Sequence, residues 1–243
     1  MTTSSHNATR VLILVLTAAK NVDRRTAIRA TWAHGHSNVK FVIGSDVPAP
    51  DSNRDDVIIV QSPDNYTSLA SKLLKSYKWA AETWNVSWIL KVDDDCYVDV
   101  PTLHRFVFNL KPQKTVIAAG FTYNGRPQRS GKYAEVSYKE KFYKPYPNGA
   151  GHLVSYDLVK WIAAQHTLPL HAGEDTSLGS WVAAMPFDVK LRATPRFVPW
   201  NELPCHDHRV IVLSHKLTPR QLKQCYAARL YKLQRWNTYK ALN

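Results

Sequence analysis

The segment Trp88–Val100, WILKVDDDCYVDV, sets Asp93, Asp94 and Asp95 in a row at the end of an apolar run that reads as a buried strand. Three carboxylates a few ångströms apart repel by roughly 1 kcal/mol per pair even at the dielectric of water, and by more where water is scarce. A shared cation removes that conflict. Alternate residues of an extended strand point to the same side, so Asp93 and Asp95 can hold one ligand while Asp94 faces elsewhere. Oxygen donors of this kind suit Mg2+ or Mn2+. Taken alone, the triplet is equally well explained as an acidic turn or a cap for a helix opening at Pro101. A second acidic pair, Glu174 and Asp175 in GEDTSLGSW, stands at the start of another helical stretch. There the helix dipole favours ionised carboxylates ready to accept a proton, although capping alone would also account for them.

These acids need a scaffold, and the chain supplies one by alternation. Strand-type runs at Val11–Thr17, Val39–Gly44, Val57–Gln61, Trp88–Val92 and Thr115–Phe121 are separated by helix-like stretches at Val22–Trp32, Thr67–Trp84 and Pro101–Leu110. Such alternation predicts parallel strands joined by helices, with ligands bound at the carboxyl edge of the sheet. In the second helix Leu69, Leu73, Leu74, Tyr77, Ala80, Ala81 and Trp84 recur near a 3.6 period, a stripe expected to pack on the sheet. From Thr122 to Asn148 the pattern breaks into Gly, Pro, Lys, Arg and Tyr, which reads as loops with a short hairpin over the strand ends. Helical signals return at Ser155–Ala164 and Asp175–Ala184, strand signals at Phe187–Leu191 and Val210–Leu213, and a last helix starts at Pro219.

The 243 residues fit one large α/β domain, expected over 11–243 behind an unstructured lead-in at 1–10. The longest strongly apolar run, Val11–Leu16, is far short of the roughly 20 residues that cross a bilayer, so the chain as it stands reads as soluble, with any membrane anchor absent from it. Cys96, Cys205 and Cys225 lack metal-type spacing and allow at most one internal disulfide. Three glycosylation sequons, at Asn7, Asn65 and Asn85, weakly favour a secretory lumen. The net charge of +13, with a basic flank from Lys216 to Lys240, suits an anionic substrate or membrane surface. Nucleic acid is disfavoured, because no nucleic-acid motif accompanies the charge and exposed carboxylates repel phosphate.

Beside KVDDDCYVDV the chain carries RRTAIRATW (Arg24–Trp32), NGAGHLVSYDLV (Asn148–Val159), GEDTSLGSW (Gly173–Trp181) and VLSHK (Val212–Lys216). With these motifs in order, the stretch from Val11 to Lys216 resembles the β-1,3-glycosyltransferase family, which includes β-1,3-galactosyltransferases, N-acetylgalactosaminyl- and N-acetylglucosaminyltransferases and Fringe. The resemblance implies a GT-A fold with a Rossmann-like, mixed but mostly parallel sheet flanked by helices, a UDP-sugar donor, Mn2+, and inversion at the anomeric carbon. By the same resemblance Asp93, Asp95 and His215 are the expected metal ligands, and a mixed Asp/His set favours Mn2+ over Mg2+. Asp175 matches the position of the base that deprotonates the acceptor hydroxyl, with Glu174 orienting base or acceptor.

Arg24, Arg25 and Arg29 lie on an early helix that resembles the family pattern RxxxIRxTW, and Arg29, four residues from Arg25 on one helical face, could reach phosphate or ribose, or form a structural ion pair. Lys72 falls in DxYxxLxxK with Asp64 and Tyr66, which the family places beside the nucleotide, and Asp94 is grouped with it. Gly149 and Gly151 match the glycines that let backbone approach the donor sugar. Ala150 and His152 stand where relatives carry a glycine and an aromatic, and Trp181 reads as core. The implied reaction moves galactose or N-acetylgalactosamine from UDP to a glycan, glycoprotein or proteoglycan, in the Golgi or endoplasmic reticulum lumen. A UDP-N-acetylglucosamine-using member and a catalytically silent glycan-binding relative are the alternatives, and oligomeric state and the pairing of Cys205 with Cys225 are left open.

Overall fold

Val11–Leu16 forms strand β1, buried along its whole length as a central parallel strand requires. The structure, a computed structural model, describes residues 11–110, 115–131, 134–198, 210–213 and 216–241, with the side chains of 213 and 233–241 left aside. The elements that follow β1 are α1 (Val22–Arg29), β2 (Val39–Gly44), β3 (Val57–Val60), α2 (Leu69–Thr83), β4 (Trp88–Asp93), β5 (Tyr97–Val98) and α3 (Val100–Asn109). Then come β6 (Val116–Ala119), β7 (Phe121–Thr122), β8 (Tyr146–Pro147), β9 (Gly151–Ser155), α4 (Tyr156–Ala164) and α5 (Glu174–Ala183). The chain closes with β10 (Lys190–Ala193), β11 (Phe197–Val198), β12 (Val212–Leu213) and α6 (Pro219–Ala241). The expected lead-in at 1–10 lies outside the described residues, among which no helix is long and apolar enough to cross a membrane.

Seven strands form the main sheet in the order β10-β6-β9-β4-β1-β2-β3. β3, β2, β1 and β4 run parallel, β9 runs antiparallel between β4 and β6, and β10 pairs parallel with β6. This is the mixed, mostly parallel sheet flanked by helices that the sequence led us to expect. One core lies on the side of α1, α3 and α6, with Ile28, Leu103 and Leu222. The other lies under α2, α4 and α5, with Tyr77, Ile162 and Trp181.

Several expectations shift. The first helix ends at Arg29 rather than Trp32, and the run from Thr115 to Phe121 splits into β6 and β7. The strand expected at Phe187–Leu191 is instead β10, a largely exposed edge. β9 is an unforeseen strand in the stretch read as the close-approach loop. Gly151 makes its position possible: a Cβ there would lie 2.7 Å from the Lys91 carbonyl and 3.0 Å from Val92 Cγ1. That glycine therefore lets two strands approach each other, and the expected role beside a donor sugar is corrected to this one.

Candidate active site

β4 delivers its acids by strand alternation. Trp88, Leu90 and Val92 face the α1 side, whereas Ile89 belongs to the core under α2, and Lys91 and Asp93 follow Ile89 at the two-residue period. Helix α3 carries its own cap: the Asp99 carboxylate accepts from the Thr102 N–H at 2.9 Å, with Pro101 in the first turn. The triplet is therefore not needed as that cap, and its members divide. Asp94 is buried and accepts from Thr17 Oγ1 (2.5 Å), Asn21 Nδ2 (2.8 Å) and Arg24 NH1 (2.6 Å). It pins the turn between β1 and α1 and also lines one of the two cavities at this edge. Asp93 and Asp95 face a different way, and both line two adjoining cavities.

One cavity, about 440 Å³, is bounded by Thr17, Asn21, Asp64, Lys72, Asp93 and Asp95. Lys72 is 2% exposed; its ammonium donates to the Thr17 carbonyl at 2.8 Å and is ion-paired with Asp64. Burial opposes ionisation of Asp64, but Lys72 and the backbone N–H groups of Ala19 and Gly44 together hold its carboxyl below the ordinary value. Lys72 and Asp64 thus lie on a cavity wall. Arg25 and Arg29 do not. Arg25 is wholly buried, donating to the carbonyls of Ala18 (2.5 Å) and Ala19 (3.0 Å) and pairing with Asp51 at 2.6 Å. Arg29 pairs with Asp51 and Asp56, each at 2.7 Å. Arg25 braces the turn after β1 and Arg29 ties α1 to the stretch between β2 and β3, so the phosphate or ribose role is corrected to the structural one. Arg24 is the residue of that motif that meets the triplet, at 2.6 Å from Asp94 and 3.5 Å from Asp95.

The second cavity, about 460 Å³, opens on the other side of Asp93 and Asp95 and includes Gly149, Glu174, Asp175, Tyr143 and Tyr146. α5 presents Glu174 and Asp175 in its first turn after Gly173. Between the two acid groups stands Lys91, fully buried, with its Nζ 2.8 Å from Glu174 Oε1, 2.9 Å from Asp93 Oδ1, 4.0 Å from Asp175 Oδ1 and 3.1 Å from the Gly149 carbonyl. Burial works against this ammonium, but Asp93 and Glu174 outweigh it and raise its pKa well above the usual lysine value. Lys91 escaped the sequence reading. Its signal was available: a single polar residue inside an apolar strand, two positions before Asp93 and so on the same face.

His152, opposite Lys91 in the ladder, is buried and bonded through Nε2 to the Tyr77 hydroxyl at 2.8 Å. Burial first and the Lys91 charge second push its pKa well down, so it stays neutral. It belongs to the support under the site, as Ala150 does, and Trp181 is core as expected, donating to the Pro169 carbonyl. Burial and the neighbouring Asp93 and Asp95 raise the Cys96 thiol, which keeps it protonated. Asp93 and Asp95 supply two hard oxygen donors at the cavity junction, which fits a divalent cation. Among the described residues no three ligating side chains are gathered tightly enough to hold one. The remaining expected ligand, His215, and Cys205 of the open disulfide question lie outside the described residues.

A scaffold of parallel strands with acids gathered at its carboxyl edge has relatives. The family described as Galactosyltransferase matches residues 23–192, and the chain belongs to that family. It is 32% identical over 167 residues to the Homo sapiens UDP-GalNAc:beta-1,3-N-acetylgalactosaminyltransferase 2, covering 60% of this chain and 33% of the relative. It is 27% identical over 232 residues to the Mus musculus Beta-1,3-galactosyltransferase 6, covering 86% of this chain and 70% of that protein. The chain spans a third or less of several of the curated relatives it matches. Among solved structures, the mannosyltransferase PcManGT from Pyrobaculum calidifontis, in complex with GDP-Man and Mn2+, aligns over 78% of this chain and 56% of that chain, with TM-score 0.46 and 13% identity.

Proposed function

We propose that this chain is an inverting, metal-dependent β-1,3-glycosyltransferase that moves galactose or N-acetylgalactosamine from UDP to a hydroxyl of a glycan, glycoprotein or proteoglycan acceptor, in the Golgi or endoplasmic reticulum lumen. The observation that carries the reading is the meeting of Asp93 and Asp95 with Glu174 and Asp175 around one buried lysine, where two cavities adjoin. The names of the relatives include both donor sugars.

On this reading the cavity of Lys72 and Asp64 takes the nucleotide, and the cavity beyond Asp93 takes sugar and acceptor. Asp93 and Asp95, with His215, would hold Mn2+. When bound, such an ion supplies positive charge against the diphosphate that leaves. Asp175 accepts the proton of the acceptor hydroxyl while that oxygen bonds to the anomeric carbon and the bond from that carbon to UDP breaks. Glu174, clamped by Lys91, holds the first turn of α5 in place so that Asp175 faces the substrate.

Incubation with UDP-galactose, UDP-N-acetylgalactosamine and UDP-N-acetylglucosamine plus Mn2+, read by mass spectrometry, tests the proposal. The expected result is UDP release from one of the first two. No UDP binding, hydrolysis or transfer with any donor refutes it. Asp175→Asn should lower transfer by about 10²-fold or more while UDP binding persists; a variant as active as the parent removes the base assignment.

A further inference from the structure

Between β7 and β8 the chain makes a long excursion, of which residues 123–131 and 134–145 are described. It is seated on α5 by a buried polar cluster. Glu135, 7% exposed, has Oε1 2.8 Å from His171 Nδ1, and its Oε2 accepts from the Tyr143 hydroxyl at 2.6 Å. The other ring nitrogen of His171 lies 2.7 Å from Ser180 Oγ on α5, and the His171 backbone N–H donates to Ser177 Oγ at 2.8 Å. Tyr138 closes the group, edge-on to the His171 ring at 5.0 Å and 4.7 Å from the Tyr143 ring. Close backbone approach adds to it, because a Cβ on Gly179 would lie 2.7 Å from the Pro145 carbonyl.

The same excursion and the strand after it supply Arg126, Gln128, Tyr143 and Tyr146 to the cavity that contains Asp175. None of them lines the Lys72 cavity. Glu135, His171 and Ser180 line neither. The wall of tyrosine rings and hydrogen-bonding side chains has the chemistry of a saccharide subsite, where a sugar lays its apolar face on an aromatic ring and its hydroxyls on polar groups. It borders Asp175 and lies outside the lining of the Lys72 cavity.

We propose that the excursion is the acceptor-saccharide wall, and that Glu135, His171 and Ser180 form a latch that positions it against α5. The proposal rests on the glycosyl-transfer reading. The latch residues act through Tyr143 and its neighbours, so they govern acceptor affinity and leave donor handling alone.

The test compares Glu135→Ala, His171→Ala and the double variant for UDP release without acceptor, donor KM, and transfer to a panel of p-nitrophenyl β-glycosides. Acceptor KM should rise about tenfold or more with kcat little changed, and donor KM and UDP release should match the parent. The double variant should be no worse than the more damaged single, as for two members of one unit, and Glu135→Gln should recover part of the loss. Normal UDP release with an unaltered acceptor KM, or equal losses on the donor and acceptor sides, overturns the latch alone. A parent chain that neither binds nor releases UDP overturns the transfer reading and, with it, this inference.

Discussion

Removing the cation of Lys91 is the sharpest perturbation available, and Lys91→Met keeps its length while deleting the charge. Two carboxylates lie within 3 Å of that ammonium. At an effective dielectric near 20, unit charges 4 Å apart already interact by about 4 kcal/mol, and these pairs are closer. The attraction is partly spent on keeping the lysine dry, so the measurable quantity is what deletion leaves behind. Asp93 has 25% of its side chain in solvent and can be rehydrated, whereas Glu174 has only 8%. Most of the penalty therefore falls on Glu174. Removing one partner of a buried pair costs about 3–5 kcal/mol, and a chain of this size loses about 2–4 °C of Tm per kcal/mol. Urea unfolding and thermal melts of metal-free protein should show Lys91→Met lower by that energy, about 6–20 °C. Adding Glu174→Gln to it should restore part of the loss, because the stranded charge is then gone. A Lys91→Met variant within about 1 kcal/mol of the parent, or strict additivity in the double variant, would refute the claim that this lysine neutralises Glu174.

Two further outcomes follow from the same contacts. The Arg25 guanidinium first, with Arg29 behind it, holds the Asp51 carboxyl well below the usual carboxylate range against the opposing effect of burial. A depressed folded value means that the stability it brings is present above the ordinary carboxylate pKa, about 3.9, and is lost as pH falls toward the folded value. Asp51→Asn should therefore be less stable than the parent at pH 7, with the gap constant down to about pH 4 and narrowing below it; chemical unfolding across that range reads this, and a gap that widens in acid contradicts it. Gly151→Ala forces a methyl against the Lys91 carbonyl at 2.7 Å, where backbone must move. A loss of about 1–3 kcal/mol is expected in the same assay, and an unchanged midpoint would show that β9 does not need the glycine.

Where burial alone decides an element, the sequence reading succeeded. Val39–Gly44 matches β2 residue for residue, and the apolar stripe of α2 does pack on the sheet. It failed where a distant partner decides. β9 is five residues long and opens on a glycine, and it is a strand because a slot exists between β4 and β6; nothing local announces that slot. β10 has no apolar alternation because its side chains are mostly exposed at the sheet edge. For Arg25 and Arg29 the shared helical face was read correctly, but their acids, Asp51 and Asp56, come from the polar stretch between β2 and β3, which has no period to reveal where it folds back. The acids of the site were legible because like charges close together demand a reason. Lys91, which supplies that reason, was hidden by being one polar residue among apolar ones.

The uneven distances around Lys91 also bear on which of two adjacent acids can act as a base. A carboxylate held 2.8 Å from an ammonium is committed to that contact. Glu174 is in that position, buried, at the root of α5. Asp175, one residue on, stands 4.0 Å from the same ammonium and reaches the cavity that the tyrosines line. Were the distances reversed, the more exposed acid would be taken up by the lysine and the buried one could not touch a substrate. On the proposed reading, geometry alone divides the pair into a counter-ion and a base. The lysine that allows Asp93 and Glu174 to lie close together also decides which of the two neighbouring acids of α5 faces the cavity.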